Sequence, residues 1–386
     1  MRPRTADVVI IGAGAIGCSI AYHLGLRGAK HVVVLEQEFV GSGTTSKAAG
    51  GIRVQFPIEV EIQFSMESLQ FFKRFHEEMG VNPHLRQVGY LFLLGHEPDV
   101  EQYKRQIALQ SRYGLDVRLI TPQDARAIVP QLWVDDLLAA VYSPQDGYAD
   151  PHTVVQGYAA RARECGVRIL EQTEVTGIHL QEDRVVGVET TSGPIETRLV
   201  VNAAGPWAMR VAEMVGAKVP VYPRRRHIFV TEPFPDFVNP SPLVIDRTSG
   251  FYCRTEGRSI LMSPGDVQEV QGYKVSIDWS MAEEAARKAV HRVPVLERAG
   301  IRSGWAGLRP LTPDEHAIID HLPGIEGCLC AIGFCGHGFQ HSPAAGRVVA
   351  EMILDGKPST DISALSFARF HEAAPTPAKG KVPEPD

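Results

Sequence analysis

The sequence predicts an α/β fold that opens with a parallel βαβ unit, and three observations near the N-terminus lead to this prediction. An apolar run, Val8–Ile11, leads directly into the glycine-rich turn Gly12-Ala13-Gly14-Ala15-Ile16-Gly17. A stretch with helical spacing follows. A second apolar run, Val32–Leu35, then ends in the acid Glu36. Two β-branched runs joined by a glycine turn and a helix predict neighbouring parallel strands with a crossover helix.

The three glycines of this turn predict a dinucleotide site. Gly12 allows a tight turn, Gly14 lets the backbone approach a pyrophosphate, and Gly17 lets the helix pack closely on the sheet. The N-terminus of that helix would face the phosphates. Glu36 can accept hydrogen bonds from both hydroxyls of an adenosine ribose and would repel a 2′-phosphate, which argues against NADP. The motif leaves both FAD and NAD open.

Length and composition set the outer limits. The 386 residues are enough for two domains, and 44% hydrophobic residues is typical of a globular protein. The net charge of −6 gives no indication of a nucleic-acid partner. No apolar run reaches the roughly 18 residues that a membrane helix needs, and no signal-peptide core precedes the first strand. We therefore expect a cytoplasmic protein without a membrane span.

The six cysteines show neither a CxxC pair nor metal-ligand spacing, which predicts reduced thiols and no metal site. Cys328 and Cys330 alternate along a predicted strand, where two small buried residues are expected. Beyond the first unit, the pattern predicts a small-residue loop, helices, an inserted strand-and-helix segment and an antiparallel sheet, in this order: loop 41–51, helix 59–79, insertion 89–142, helix 150–165, sheet 220–279, helix 282–293, strand 328–332 and helix 343–354. Ser342 and Pro343 are predicted to cap and open the last helix.

Four further motifs follow the N-terminal unit: residues 146–151, residues 202–207, residues 311–316 and Gly333-Phe334-Cys335-Gly336-His337-Gly338-Phe339-Gln340. Together, over residues 7–370, they resemble the D-amino acid oxidase and sarcosine oxidase family of FAD-dependent amine oxidoreductases. The likeness is to sarcosine oxidase in particular, and to the catalytic β subunits of sarcosine oxidase and proline dehydrogenase.

The resemblance implies a glutathione-reductase-type flavoprotein, in which a Rossmann-like FAD-binding domain is interleaved with an antiparallel-sheet α+β substrate domain. We expect residues 1–85, 146–219 and 306–371 to form the FAD-binding domain, and residues 86–145 and 220–305 to form the substrate domain. The composition of residues 372–386, rich in Pro, Lys, Ala and Glu, predicts a disordered tail.

The resemblance also implies which residues bind FAD. Most of them lie in the motifs or in the small-residue loop, whereas Val175 and Arg309 lie outside both. They are Gly12, Gly14, Ala15, Ile16, Gly17, Glu36, Gln37, Ser42, Thr44, Thr45, Ser46, Ala49, Gly50, Gly51, Val175, Ala203, Ala204, Gly205, Trp207, Arg309, Gly336, His337, Gly338, Phe339 and Gln340.

The resemblance places four residues near the reacting atoms, and we expect them to form the catalytic site: Arg53, Tyr252, His337 and Gln340. Arg53 matches an arginine above the flavin ring and could clamp a carboxylate with two hydrogen bonds. Tyr252 matches a substrate-pocket tyrosine, and His337 would lie along the isoalloxazine. Gln340 stands where the sarcosine oxidases have a carboxylate-binding lysine.

Two other departures from the family bear on the flavin. Gly307 occupies the place of a flavin-linking cysteine, which predicts non-covalent FAD. Residues 259–263 lack the lysine that assists the reaction with oxygen, which favours a dehydrogenase that passes electrons onward.

The expected reaction is oxidation of a secondary or primary amine of a small amino acid of the sarcosine, N-methyl or cyclic type. Hydride would pass from the carbon beside nitrogen to flavin N5, and the imine would hydrolyse. The open alternatives are a deaminating glycine or D-amino acid oxidase, a 2-hydroxy acid or polyol phosphate oxidoreductase, and a non-catalytic flavin-binding assembly subunit. Oxygen or an electron carrier would take the electrons, and partner subunits could form a hetero-oligomer.

Overall fold

The computed structural model describes residues 3–265 and 271–372. Its strands, in chain order, are β1 Val8–Ile11, β2 Val32–Leu35, β3 Gly51–Ile52, β4 Tyr90–Leu94, β5 Arg118–Ile120, β6 Ala139–Ser143, β7 Gly147–Tyr148, β8 Arg168–Leu170, β9 Val175–Gln181, β10 Arg184–Thr190, β11 Ile195–Glu196, β12 Val200–Asn202, β13 Tyr222–Thr231, β14 Leu243–Asp246, β15 Tyr252–Glu256, β16 Ser259–Ser263, β17 Ile301–Leu311, β18 Ile318–His321 and β19 Cys328–Ile332. Its α-helices are α1 Ala15–Leu26, α2 Glu59–Lys73, α3 Phe75–Met79, α4 Glu97–Arg112, α5 Pro122–Ile128, α6 Pro151–Glu164, α7 Ala208–Glu213, α8 Ser280–Arg292, α9 Gly338–Leu354 and α10 Arg369–Glu372.

The first large sheet has six strands in the order β18-β19-β12-β1-β2-β8. All neighbours are parallel except β18, which runs antiparallel to β19. Helix α1 connects β1 to β2 and packs against α6 and α9. Strands β1, β2 and β19 are buried at every residue, because helices or further strands cover both faces of the sheet. This burial explains their continuous apolar sequences. The predicted βαβ unit and the mixed α/β class are confirmed.

The second large sheet has eight strands in the order β17-β13-β16-β15-β14-β4-β6-β5. It is mostly antiparallel, but β14 runs parallel to β4. The predicted sheet over residues 220–279 is therefore only part of a larger sheet that recruits strands from the insertion and from residues 301–311. One face packs on α8 through Ala285 and Ala289.

The predicted boundary of the last helix is wrong. Helix α9 begins at Gly338, so Ser342 and Pro343 lie inside it. A proline lacks the N–H that would bond the carbonyl four residues earlier, which is that of Phe339. The Ser342 hydroxyl donates to that carbonyl at 2.8 Å and satisfies it, so the helix continues through the proline.

Other local predictions differ little from the structure. The helix predicted over residues 59–79 is broken at Arg74 into α2 and α3. All six cysteines are free, and Cys328 and Cys330 are both buried on β19. Among the described helices, none is long and apolar enough to cross a membrane. The predicted tail lies, apart from Glu372, outside the described residues.

Candidate active site

A cavity of about 740 Å³ lies where the carboxyl ends of β1, β2 and β12 face the second large sheet. It is lined by every residue that the sequence assigned to the cofactor or the substrate, except Gly17 and Ser46. Three of the five motifs, which are widely separated in the chain, therefore meet at one place: the N-terminal unit, residues 202–207 and residues 333–340. Ligands of open α/β sheets bind at this edge, outside the carboxyl ends of the strands.

The glycine turn after β1 is built without room for side chains. Gly12 has φ +103°, and a Cβ there would lie 2.7 Å from the carbonyl oxygen of Ala203. A Cβ on Gly17 would lie 1.9 Å from the carbonyl oxygen of Gly12, so this glycine packs α1 against the turn from behind. Gly17 thus shapes the site without lining it. The turn brings bare backbone and the N-terminus of α1 to the cavity, where they can hold a pyrophosphate.

Glu36 ends β2 beside this turn. Its two carboxylate oxygens accept hydrogen bonds from the backbone N–H groups of Ala13 at 2.8 Å and Glu38 at 3.0 Å. Burial raises the pKa of Glu36, although these two N–H groups oppose the effect. Each carboxylate oxygen keeps a lone pair that can accept from a ribose hydroxyl.

The small-residue loop closes the cavity on the other side of the turn. The Thr45 hydroxyl accepts from the backbone N–H of Ala15 at 3.0 Å, and the Thr44 hydroxyl donates to the carbonyl of Leu308 at 2.9 Å. Ser46 instead donates to the carbonyls of Ser42 and Gly43, which explains why it shapes the loop without lining the cavity.

At the far end of the cavity, α9 presents a second helix N-terminus at Gly338. Gly336 has φ +87°, and a Cβ there would lie 2.7 Å from Nε of Arg309. Nδ1 of His337 is buried and has no hydrogen-bond partner among the described residues. Two helix N-termini, two glycine cradles and a ribose-binding acid are the features that FAD, with its pyrophosphate and anionic reduced flavin, requires.

Arg53 lies beside the start of α9. Its backbone N–H donates to Oε1 of Gln340 at 3.0 Å, and its carbonyl oxygen lies 3.4 Å from Nε2 of the same amide. Its guanidinium lies 4.0 Å from the ring centroid of Phe56 and donates both to the carbonyl of Gln55 and, at 3.1 Å, to Nε2 of His337. It makes no ion pair with the described residues. Gln340 therefore holds the backbone of Arg53, which makes it a positioning residue.

His337 is neutral in this arrangement. An arginine can only donate, so Nε2 of His337 must accept, and the ring proton sits on Nδ1. Burial lowers the pKa of His337 well below its usual value, and the nearby charges of Arg53 and Arg309 lower it further.

Asp146 supports the Arg53 loop from behind, a role that its motif did not predict. Its carboxylate accepts from the backbone N–H of Val54 at 3.0 Å and from the side-chain amide of Gln55 at 2.9 Å. Burial raises the pKa of Asp146 to about 7, against the opposing effect of these bonds and of the Arg53 charge.

The sequence motifs did not predict one wall of the cavity. Tyr90 and Phe92 on β4 line the cavity opposite Gly51, and a Cβ on Gly51 would lie 1.8 Å from the Tyr90 hydroxyl. Tyr252, predicted from the resemblance, lines the same wall. All five residues of β4 are apolar and buried, so the sequence gives no signal for the face that meets the cavity, and only the fold shows it.

Gly307 lies on the cavity wall next to Lys47. A Cβ at position 307 would lie 2.6 Å from Cβ of Lys47, so a cysteine does not fit there without a shift of the loop. This packing agrees with the expectation of non-covalent FAD.

Comparison with known proteins agrees with this geometry. The chain is 33% identical to mitochondrial sarcosine dehydrogenase of Mus musculus over 96% of its length, and it spans 42% of that protein, which is less than half. It is 32% identical to FAD-dependent oxidoreductase domain-containing protein 1 of Xenopus laevis, covering 97% of this chain and 84% of the relative. Both relatives are oxidoreductases by name, and the second is named as FAD-dependent.

Two solved structures share the fold along nearly their whole length. L-proline dehydrogenase from P. horikoshii superposes with a TM-score of 0.89 at 34% identity, covering 96% of this chain and 99% of that one. Glycine oxidase from Geobacillus kaustophilus gives 0.84 at 26% identity, covering 95% and 99%. Residues 7–352 match the DAO family, described as FAD dependent oxidoreductase. The resemblance drawn from the motifs is confirmed: the chain belongs to the DAO family of oxidoreductases, and its cofactor is FAD.

Proposed function

We propose that this chain oxidises the amine of a small amino acid, in particular a secondary amine of the N-methyl or cyclic type, to an imine that water hydrolyses. The observation that carries the proposal is the guanidinium of Arg53, which lines the cavity without an ion pair among the described residues. A cation held in a largely buried, apolar wall requires an anion, and the carboxylate of an amino acid supplies one.

The surroundings of Arg53 favour a planar anion. Its guanidinium is oriented by His337 and by the carbonyl of Gln55 on one side, and by the Phe56 ring on the other. Arginine can grip a carboxylate with two parallel N–H bonds, which fixes the orientation of the substrate as well as its charge. We infer that Arg53 takes the place of the carboxylate-binding lysine that Gln340 replaces.

The chain supplies orientation and an apolar wall. When bound, FAD would supply the hydride acceptor for the carbon beside the amine nitrogen. The nitrogen lone pair forms the C=N bond as the hydride leaves. The amine must therefore either bind in its neutral form or lose its extra proton before the hydride leaves. Tyr90, Phe92 and Ile245 form the wall against which the substrate carbon would pack, and they keep water from the reacting carbon.

The names of the relatives support a secondary amine. Sarcosine and L-proline, in the names of the mouse and P. horikoshii proteins, are both secondary amines. Both proteins are named dehydrogenases, and β16 contains no lysine, so we propose that electrons pass to a carrier faster than to oxygen. Partner subunits that take these electrons form part of the same proposal.

Glycine oxidase offers the second candidate, because its structure has the same fold at 26% identity. A deaminating enzyme of that type would release ammonia from a primary amine. Oxidation of sarcosine at its methyl group would instead release formaldehyde and glycine, so the products separate the two reactions.

The test is anaerobic addition of sarcosine, L-proline, glycine and D-alanine, separately, to the FAD-loaded protein. We expect sarcosine or L-proline to bleach the visible flavin band and glycine and D-alanine to bleach it slowly. Bleaching should accelerate as pH rises, because the neutral amine is the reactive form. Reduction by none of the four would contradict the proposal and favour a non-catalytic flavin protein or a hydroxy-acid substrate.

A further inference from the structure

Arg247 directly follows β14 and lines the cavity, and its backbone N–H still donates to the carbonyl of Leu93 on β4 at 3.0 Å. Side chains two residues apart point to the same face of a strand, and Leu243, Ile245 and Arg247 all line the cavity. Leu243 pairs with Tyr90 and Ile245 pairs with Phe92 on the parallel neighbour β4. Arg247 therefore continues the substrate wall by one more step.

The backbone that carries Arg247 is firmly held. The buried carboxylate of Asp246 accepts from the backbone N–H groups of Thr248 at 2.9 Å and Ser249 at 3.3 Å, and from Nε of Arg292 at 3.1 Å. Nζ of Lys288 donates to the carbonyl of Ser249 at 2.8 Å. This network holds the turn between β14 and β15 in place, so the position of Arg247 at the cavity is set by the fold.

The charge of Arg247 has no counterpart in the described chain. Its side chain is exposed and makes no hydrogen bond or ion pair with the described residues, whereas the carboxylate of its neighbour Asp246 is bonded to Arg292 and Ser249. The other acids of the cavity lining are Glu36, Glu38 and Glu174, which lie at the dinucleotide end. Among the described lining residues at the substrate end, Arg53 and Arg247 are cations, and the carboxylate of Asp246 is already bonded to Arg292 and Ser249.

The two cations are suitably placed for one ligand. The guanidinium of Arg53 lies 5.6 Å from the ring centroid of Phe92, which pairs with Ile245, so Arg53 stands beside the middle of the wall. Arg247 follows Ile245 by two residues, which corresponds to about 7 Å along a strand.

We propose that Arg247 binds a second anionic group on the ligand whose first carboxylate Arg53 holds. Resting on the function proposed above, this makes the substrate an N-substituted amino acid that carries a second carboxylate on its side arm. Such a molecule would lie along the wall of Leu243 and Ile245 with one charge at each arginine.

The first test measures equilibrium binding to the FAD-loaded protein by calorimetry, with two unreactive probes, glutarate and its monoamide glutaramate. The probes have similar size and differ in one charge. We expect glutarate to bind about tenfold more tightly or better, as for a charge-assisted hydrogen bond. The preference should vanish in Arg247→Gln, reverse in Arg247→Glu, and persist in Arg302→Gln, which alters an exposed arginine outside the cavity. Equal binding of both probes to the unaltered protein, or a preference that survives Arg247→Gln, would overturn the inference.

The second test compares racemic N-methylglutamate with racemic N-methylglutamine as reductants of the flavin under anaerobic conditions. The ratio of their kcat/KM values should favour the glutamate by about tenfold and fall towards one in Arg247→Gln. A ratio near one in the unaltered protein would contradict the inference while leaving amine oxidation intact. A glutarate preference without reduction by any amine would uphold the role of Arg247 and overturn the proposed function instead.

Discussion

Nη2 of Arg53 lies 3.1 Å from Nε2 of His337, and this hydrogen bond joins the loop after β3 to the residue that precedes α9. The bond keeps Nε2 unprotonated, so a neutral imidazole and a charged guanidinium stand side by side at the cavity. If His337 were protonated, it and Arg53 would be two cations at this distance and would repel each other. The arrangement instead leaves one positive charge, on Arg53, for a substrate carboxylate.

Arg53→Lys tests whether the positive charge at position 53 must be carried by a guanidinium group. Lysine keeps the charge but loses the planar pair of donors, and it cannot make the same bonds to His337 and the substrate together. We expect kcat/KM for flavin reduction by the best amine to fall by about a hundredfold, a loss of about 3 kcal/mol of transition-state stabilisation. Stopped-flow reduction measures it. Arg302→Lys is the control, and an unchanged rate in Arg53→Lys would show that Arg53 does not hold the substrate.

Gln340→Leu tests the positioning of Arg53 by the amide of Gln340. The substitution leaves the backbone N–H of Arg53 without its 3.0 Å partner. An unsatisfied backbone donor costs about 1–3 kcal/mol, so we expect a lower free energy of unfolding and a higher KM for the amino acid. Gln340→Glu keeps an acceptor for that N–H and should lose less stability. Equal stability of all three proteins in chemical denaturation would refute this role.

Gly17→Ala tests the turn that is expected to hold the pyrophosphate. A methyl group there would lie 1.9 Å from the carbonyl of Gly12, so α1 or the turn must shift. We predict that the purified variant contains much less FAD, measured by absorbance against protein concentration. Gly177→Ala is the control, since its Cβ would meet only Cβ of Glu189 at 3.7 Å. Normal FAD content in Gly17→Ala would mean that the turn tolerates displacement.

The pair of His316 and Glu61 predicts a pH dependence of stability. Nδ1 of His316 lies 3.1 Å from the buried Glu61 carboxylate. Burial lowers the pKa of His316, but the hydrogen bond and the charge of Glu61 outweigh it, so the pKa is raised above 6.5. A histidine with a raised folded-state pKa stabilises the fold fully below the unfolded value, and the contribution is lost as pH rises through the folded value. His316→Gln should therefore destabilise the protein more below pH 6.5 than well above the raised pKa. A pH-independent difference in the free energy of unfolding would contradict the pairing.

The dinucleotide half of the site was predictable from the sequence because its signals are local. The spacing of Gly12, Gly14 and Gly17, and the acid at the end of β2, depend only on neighbouring residues. The start of α9 was not predictable in this way. Ser342 and Pro343 are typical of a helix start, and only the bond from Ser342 to Phe339 shows how the helix passes through the proline.

The substrate half depends on strand register across distant segments. Tyr90 and Arg247 belong to no motif, and they share the cavity because β14 pairs in parallel with β4. Asp146 was noted as part of a motif, but its support of the Arg53 loop follows from contacts made across the insertion. A local pattern shows which face of a strand is apolar, and the tertiary fold decides which face borders the ligand.

Arg53 is the residue that we propose recognises the carboxylate of an amino acid whose amine is oxidised. The most direct measurement is the anaerobic rate of flavin reduction by sarcosine and by sarcosinamide, its neutral amide, in the FAD-loaded protein. We predict that sarcosine reduces the flavin at least about a hundredfold faster, and that Arg53→Gln removes most of that advantage. Equal rates with the two compounds would contradict recognition of the carboxylate by Arg53. No reduction by sarcosine or by any other secondary amino acid would contradict oxidation of a secondary amine.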